Sequence, residues 1–204
     1  PEPRSRVSDN HHAALLDDLA RRRGVVMLVG GPDTGKSTLA RDLLAAAIAA
    51  GKTAAYVDAD IDQTTVGPPA CTGLKFVRDQ GDLASLAAAD LLHFVGAIAP
   101  DGVILQQVVA TAALVDAARD QVDLVVIDTT GAISGVGGQT LKYHKMESCR
   151  PDVVIGLQRG AELEPLVGML RRFFSAEVET APADPGVRPT NPEIRRAHRA
   201  KAFG

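Results

Sequence analysis

The stretch that decides the fold is GGPDTGKST, residues 30–38. Five consecutive apolar residues, Val25 to Val29, precede it and predict a buried strand. A run rich in alanine and leucine follows it, with apolar residues at helical spacing, and ends at Gly51. The sequence therefore predicts a strand, a glycine-rich loop and a helix in direct succession.

This loop carries the P-loop pattern, G-x-x-x-x-G-K-[ST]. Backbone N–H groups turned into a concave loop attract anions, and the positive end of the following helix adds to the attraction. We expect Lys36 to reach the terminal phosphates and Ser37 to offer its hydroxyl to Mg²⁺. The predicted ligand is ATP with Mg²⁺, and GTP is the alternative nucleotide. The residues expected to contact it are Gly30, Gly31, Pro32, Asp33, Thr34, Gly35, Lys36, Ser37 and Thr38.

The composition limits the classes of protein to consider. The 204 residues suffice for one well-cored domain. No uncharged run approaches the length of a membrane span, so no membrane contact is expected. The net charge of −3 excludes a global basic footprint for duplex nucleic acid but permits a nucleic acid end as substrate. Cys71 and Cys149 lack metal or redox spacing, which fits a cytoplasmic location, and nothing indicates an oligomeric state.

Four short apolar runs organise the chain: residues 25–29, 54–57, 124–127 and 153–157. Continuous apolar strands imply burial on both faces, and helical patterns separate three of them, so we predict a three-layer α/β domain with a mainly parallel sheet. Residues 1–12 are predicted to be a flexible leader and residues 13–23 a first helix. A single domain fills residues 13–204. Residues 181–204 at its end are predicted to form a connector followed by a basic helix around RRAHRAK. The proline-rich stretch that indicates the connector is residues 179–192.

Acidic residues follow the second apolar run, in YVDADIDQTTVGPP. Asp58, Asp60 and Asp62 alternate there, and Gln63 comes next. By itself this segment would be a solvated acidic turn, since the glycine and glutamate of a calcium loop are missing. Beside a triphosphate, an acid at a strand tip can hold Mg²⁺ through water or take a proton from an acceptor hydroxyl.

The third polar cluster, LVVIDTTGAISGVGG, places Asp128 where a Walker B acid belongs, followed by Thr129, Thr130 and Gly131. D-x-x-G also matches the γ-phosphate loop of GTPases. The guanine-reading N-K-x-D element is missing, because GLQRGAEL stands at the equivalent place, residues 156–163. This weakens the GTPase interpretation.

In order, these motifs resemble the 5′-hydroxyl polynucleotide kinase family, P-loop enzymes that phosphorylate RNA or DNA ends, in a short or truncated, bacterial-type form. The resemblance covers residues 24–203 and includes HFVGAIAP. It implies that Asp60 serves near the acceptor hydroxyl, that the DTTG segment forms a clasp over the substrate end, and that an arginine helix closes as a lid. The chain differs from the family pattern at Asp62 and Ala70, where glycine is usual, and at Ala132, where an aromatic residue is usual.

The leading hypothesis is therefore a kinase acting on the 5′-hydroxyl of RNA, DNA or a related small acceptor. The alternatives are a GTP- or ATP-binding switch and an assembly module with weak hydrolysis. The residues assigned to catalysis are Lys36, Asp60, Asp128, Arg195 and Arg199, and those assigned to the metal are Ser37, Asp60 and Asp128. Substrate contacts are assigned to Asp58, Gln63, Thr130, Gly131 and Arg196. Which of Asp58, Asp60 and Asp128 is the base stays open at this point.

Overall fold

A computed structural model describes residues 5–183, with side chains from residue 12, and residues 186–187, 193, 196–197 and 200. The helices are α1 (Ser5–Arg21), α2 (Lys36–Ala49), α3 (Gln80–Ala84), α4 (Ile104–Arg119), α5 (Gly135–Cys149) and α6 (Glu164–Phe173). The strands are β1 (Gly24–Gly30), β2 (Ala54–Ala59), β3 (Cys71–Val77), β4 (Leu91–Phe94), β5 (Leu124–Thr129), β6 (Val153–Gln158) and β7 (Glu177–Pro182).

The strands form one sheet in the order β4-β3-β2-β5-β1-β6-β7. Neighbouring strands are parallel except at β3, which pairs antiparallel with both β2 and β4. The four strands predicted from the apolar runs are β1, β2, β5 and β6, which lie next to one another in the order β2-β5-β1-β6. The predicted fold class, an α/β P-loop domain with a mainly parallel sheet, is confirmed.

Helices cover both faces of the sheet, and successive residues of a central strand face opposite layers. In β1, Val25, Met27 and Val29 pack against α4, α5 and α6. Val26 and Leu28 pack against α1 and α2. This two-sided burial is why the central strands are continuous apolar runs. None of the helices in the described residues is both long and apolar enough to cross a bilayer.

The structure differs from the sequence prediction at both ends. Helix α1 begins at Ser5, within the segment predicted to be a leader, and ends at Arg21. Strand β7 occupies residues 177–182, so the predicted connector can begin only after residue 182. Its one proline, Pro182, stands at the last position of an edge strand, where a missing N–H costs least. Arg195 and Arg199 of the predicted lid lie outside the described residues, whereas Arg196 is helical and exposed.

Candidate active site

The site lies at the carboxyl ends of the adjacent strands β2, β5 and β1, where parallel strands deliver their loops to one edge. A cavity of about 380 Å³ opens there. Three predicted segments and two further residues line it: the phosphate loop from Pro32 to Thr38, the acidic loop at Asp60, Asp62 and Gln63, the clasp residues Thr130, Gly131 and Ala132, and Pro100 and Val187. The structure thus brings together motifs that are nearly a hundred residues apart in the chain.

The phosphate loop is shaped by Gly35, whose φ of 93° lies in the left-handed region that favours glycine. Helix α2 begins directly after it, at Lys36, so the first N–H groups of the helix turn towards the loop. The ammonium group of Lys36 donates to the carbonyl oxygen of Gly31 at 2.7 Å. Burial lowers the pKa of Lys36, and the nearby charge of Asp128 opposes that shift. The side chain of Lys36 therefore bonds back to the phosphate loop from which it projects.

Asp128 connects the loop to the sheet. Its Oδ2 accepts hydrogen bonds from the hydroxyls of Ser37 at 2.5 Å and Tyr56 at 3.0 Å. Its Oδ1 is buried and has no hydrogen-bond partner among the described residues. Burial raises the pKa of Asp128, while Lys36 and the hydroxyl of Ser37 act in the opposite direction.

These groups fit a magnesium ion. Mg²⁺ prefers oxygen ligands and keeps several waters, so it is usually held by one or two protein oxygens and the phosphates of its nucleotide. Ser37 Oγ and the unpaired Oδ1 of Asp128 are such oxygens. Tyr56 is a functional neighbour that sequence reasoning missed, because its position inside the apolar run of β2 indicated only core packing.

Asp58 is buried near the end of strand β2, just before the acidic loop. Its carboxylate accepts the backbone N–H groups of Asp60 at 3.1 Å, of Thr65, and of Val66 at 2.9 Å. It is buried and does not line the cavity. Burial and the charge of Asp128 raise the pKa of Asp58 to about 8, while the N–H of Val66 opposes the shift. The predicted substrate contact is therefore corrected: Asp58 ties down the loop that carries Asp60.

Asp60 lines the cavity, as do Asp62 and Gln63 of the same loop. Its Oδ1 accepts the N–H groups of Asp62 at 3.0 Å and Gln63 at 3.2 Å, which fixes the carboxylate at the tip of the turn. The side chain is half-buried. A carboxylate that is held in place and accessible from the cavity can accept a proton from a bound hydroxyl.

The clasp packs directly on the phosphate loop at Gly131. A Cβ added there would lie 2.7 Å from the nitrogen of Pro32, so only glycine fits without displacing the backbone. Thr130 is buried beside it. Lys142 of α5 donates to the Thr130 carbonyl at 2.7 Å and to its hydroxyl at 3.2 Å. Lys142 therefore stabilises the clasp through two hydrogen bonds to Thr130.

A second lysine of α5, Lys145, approaches the carbonyl oxygen of Ala59 at 3.3 Å, one residue before Asp60. Both lysines are fully buried. Burial lowers the pKa of Lys142 well below its ordinary value and that of Lys145 to about 8. Sequence reasoning missed them, because lysines in a helix usually face solvent. Their spacing of three, which puts both on one helix face just after the clasp, was the available signal.

Arg159, at the end of β6, also contacts the phosphate loop and was missed. Its guanidinium donates to the carbonyl oxygens of Pro32, at 3.4 Å, and of Asp33. Glu162 accepts the N–H groups of Arg159 at 2.7 Å and Gly160 at 2.8 Å, and these bonds lower its pKa. The segment GLQRGAEL, which lacks the guanine-reading element, therefore contacts the phosphate loop through Arg159.

Solved structures share this fold. The wild-type Clp1p–Pcf11p complex contains a chain that superimposes with a TM-score of 0.72 at 15% sequence identity, covering 100% of the present chain and 54% of that one. At this identity the similarity concerns the fold alone.

Curated relatives have higher identity. The polyribonucleotide 5′-hydroxyl-kinase of Methanocaldococcus jannaschii is 34% identical over 160 residues, which is 76% of this chain and 44% of that protein. The polyribonucleotide 5′-hydroxyl-kinase Clp1 of Rattus norvegicus is 32% identical over 184 residues, which is 84% of this chain and 42% of that protein. The chain thus spans less than half the length of these relatives.

The family model described as mRNA cleavage and polyadenylation factor CLP1 P-loop matches residues 30–203. The match begins at the first glycine of the phosphate loop and includes the acidic loop, the clasp and the segment predicted to form the lid. It covers most of the chain, and the site geometry agrees with it. The chain belongs to the CLP1 P-loop family.

Proposed function

We propose that this chain transfers the γ-phosphoryl group of ATP to the 5′-hydroxyl of RNA in a Mg²⁺-dependent reaction. The proposal rests on one observation, that Lys36, Ser37 and Asp60 line the same cavity. A nucleotide loop and an accessible acid around one cavity are what a kinase needs, whereas a hydrolytic switch needs no acceptor-side acid. The names of the curated relatives point to the same reaction.

The phosphate loop holds the nucleotide in this proposal. The N–H groups of Gly31 and of residues 33–36 bind the β-phosphate, since Pro32 has no N–H, and Lys36 exchanges its bond to the Gly31 carbonyl for the β- and γ-phosphates. Ser37 and Asp128 hold Mg²⁺, which when bound neutralises charge on the phosphates. Arg159 keeps the outer carbonyls of the loop in place.

Asp60 acts on the acceptor. It takes the proton of the 5′-hydroxyl as the hydroxyl oxygen attacks the γ-phosphorus in line. The bond from the γ-phosphorus to the β–γ bridging oxygen breaks, and ADP leaves. Asp58 and Asp128 are poor candidates for the base because both carboxyl groups are buried and neither lines the cavity, whereas Asp60 is half-buried and lines it. Gln63, Thr130 and Gly131 border the same space and are proposed to position the acceptor.

Arg195, Arg196 and Arg199 are proposed to close over the triphosphate and neutralise the charge that develops on the migrating group. Val187 supports this part of the proposal, because it lines the cavity although it lies beyond the last strand. Val187, eight residues before Arg195, therefore lies beside the cavity that contains the phosphate loop.

The test is a screen with γ-labelled ATP and GTP against 5′-hydroxyl RNA, 5′-hydroxyl DNA and nucleosides, with Lys36→Ala as the inactive control. We expect label on RNA from ATP and none with Lys36→Ala. Release of inorganic phosphate from GTP without any labelled acceptor would instead favour the switch. Nucleotide binding with neither product would favour the assembly module.

A further inference from the structure

An exposed aromatic ring ends the edge strand β4. Phe94 is 79% exposed, although large aromatic side chains are generally placed where they make contacts. Gly96 turns the chain back beside it with a φ of 90°, and a Cβ added at Gly96 would lie 3.4 Å from Phe94 Cε1. The ring is therefore flanked by bare backbone on one side and open on the other.

Phe94 lies on the same edge of the sheet as Asp60. Strands β2 and β4 are both antiparallel to β3, so they run in the same direction and their carboxyl ends coincide. Val95 donates its N–H to the Ala70 carbonyl at 2.9 Å, and Ala70 donates to the carbonyl of Ile61 at 3.0 Å. Main-chain hydrogen bonds thus connect the end of β4 to the residue after Asp60. Two strand spacings, about 10 Å, separate β2 from β4.

The acidic loop and the side chain of Arg41 lie on the same face of the sheet as Phe94. Leu92, two residues earlier and on the same face, packs so closely over Gly67 that an added Cβ would lie 2.4 Å from it. From α2, on this face, Arg41 approaches the same loop with its Nη2 3.4 Å from Thr65 Oγ1. A guanidinium group and an exposed ring therefore border the loop that begins at Asp60.

We propose that this surface, formed by Arg41, residues 60–70 and Phe94, binds the RNA strand behind its reactive 5′ nucleotide, and that Phe94 stacks on a downstream base. The inference rests on the proposed function, because it places the 5′-hydroxyl at Asp60. Aromatic rings bind single-stranded nucleic acid by stacking, which tolerates every base because each has a π-face. Arginine complements the phosphodiester backbone.

A single strand suits this surface better than the apolar face of another polypeptide. Leu92, on the same face as Phe94, is 47% exposed, whereas the more exposed Leu105 and Val109 belong to α4, which packs on the opposite face of the sheet. The apolar area around Phe94 is therefore extended by Leu92 but not by α4, and the exposed guanidinium group of Arg41 lies beside the adjoining loop. The ring lies at the same edge of the sheet as Asp60, two strands away, so an acceptor strand that leaves Asp60 along this edge would reach it.

The experiment compares acceptors of different length. Steady-state transfer is measured with a mononucleoside 3′-phosphate and with a tetraribonucleotide, both with a free 5′-hydroxyl. Phe94→Leu keeps an apolar side chain but removes the ring, and should raise KM for the tetranucleotide by roughly 5- to 150-fold without changing KM for the mononucleotide. Phe94→Tyr should behave like the wild type. The matched control is Phe173→Leu, another exposed aromatic (62%) at the end of α6, next to β7.

Fluorescence anisotropy of the labelled tetranucleotide in the presence of ADP separates this inference from the proposed function, since it needs no turnover. Weaker binding by Phe94→Leu but not by Phe173→Leu supports the stacking site. Equal affinities for wild type and Phe94→Leu overturn it, as does an equal loss of activity on both acceptors. A protein partner at Phe94 would leave every oligonucleotide measurement unchanged and so also contradict the proposal. No transfer by the wild type to any acceptor would end the proposed function alone.

Discussion

Ser37 Oγ lies 2.5 Å from Asp128 Oδ2, so the hydroxyl of the phosphate loop and the acid of β5 are in direct contact. The second oxygen of Asp128 is buried without a hydrogen-bond partner among the described residues. A buried oxygen of this kind costs free energy unless a ligand satisfies it. This unsatisfied oxygen supports the proposal that Ser37 and Asp128 hold the Mg²⁺ of the nucleotide.

The first prediction concerns that pair. Ser37→Ala should raise the Mg²⁺ concentration for half-maximal turnover by about tenfold or more, because one metal oxygen is lost. Ser37→Thr keeps the hydroxyl and should stay near wild type. A Mg²⁺ titration of the transfer rate measures both. An unchanged Mg²⁺ dependence in the alanine variant would remove Ser37 from the metal site.

The second prediction separates Asp58, in strand β2, from Asp60, in the loop that follows it. Asp60→Asn should lower turnover by ~10²–10⁴ while ATP affinity stays the same, as expected for loss of a general base. Asp58→Asn should mainly lower the free energy of unfolding, because an amide nitrogen cannot accept the N–H groups that Asp58 binds. Turnover, ATP binding and urea unfolding are measured on both variants. The assignment is reversed if Asp58→Asn is the stable but inactive one.

The third prediction concerns pH and Lys145. Its pKa is lowered from 10.5 to about 8, so the folded chain binds this proton less tightly than the unfolded chain between those values. The contribution of Lys145 to the free energy of unfolding should therefore rise with pH across that window and be constant below it. Relative to Lys145→Met, the wild type should gain roughly 1–3 kcal/mol on going from neutral to alkaline pH.

Urea unfolding of both proteins at several pH values tests this. The difference between wild type and variant is the relevant quantity, because Lys142 and Lys36 also have lowered pKa values and titrate in both proteins. If the free energies of unfolding of the two proteins stay parallel from neutral to alkaline pH, the pKa of Lys145 is not lowered in the folded chain.

The fourth prediction concerns the proposed lid. Arg195→Ala or Arg199→Ala should reduce turnover far more than it raises the ATP dissociation constant, since an arginine supplied to a migrating phosphoryl group contributes roughly 10³–10⁵ in rate in P-loop enzymes. Lys201→Ala, in the same basic stretch RRAHRAK but outside the proposed lid residues, is the control. Near-normal kinetics in both lid variants would mean that this helix is only a solvated basic surface.

The central strands and the phosphate loop could be predicted because their signals are local. β1 is an unbroken apolar run, and the glycines and lysine after it stand at fixed offsets. The meeting of Asp60 and Ser37 in one cavity followed from a general rule, that parallel strands deliver their loops to one edge.

The features that were missed depend on contacts between distant segments. Strand β3 contains Gly73 and Lys75 and has no apolar run. Gly73 is required because a Cβ there would lie 2.4 Å from the carbonyl oxygen of Val66, a contact that sequence alone does not reveal. Lys142 can be buried because the Thr130 carbonyl accepts a hydrogen bond from its ammonium group. A helical pattern would place the same lysine in solvent.

The most direct test of the central claim is to incubate the 204-residue chain with γ-labelled ATP, Mg²⁺ and a 5′-hydroxyl oligoribonucleotide, and then digest the product to nucleotides. We expect the label to lie on the 5′-terminal nucleotide, a phosphatase to remove it, and Lys36→Ala to produce none. Label found only in inorganic phosphate, with the oligonucleotide unmodified, would show that the chain does not phosphorylate RNA ends.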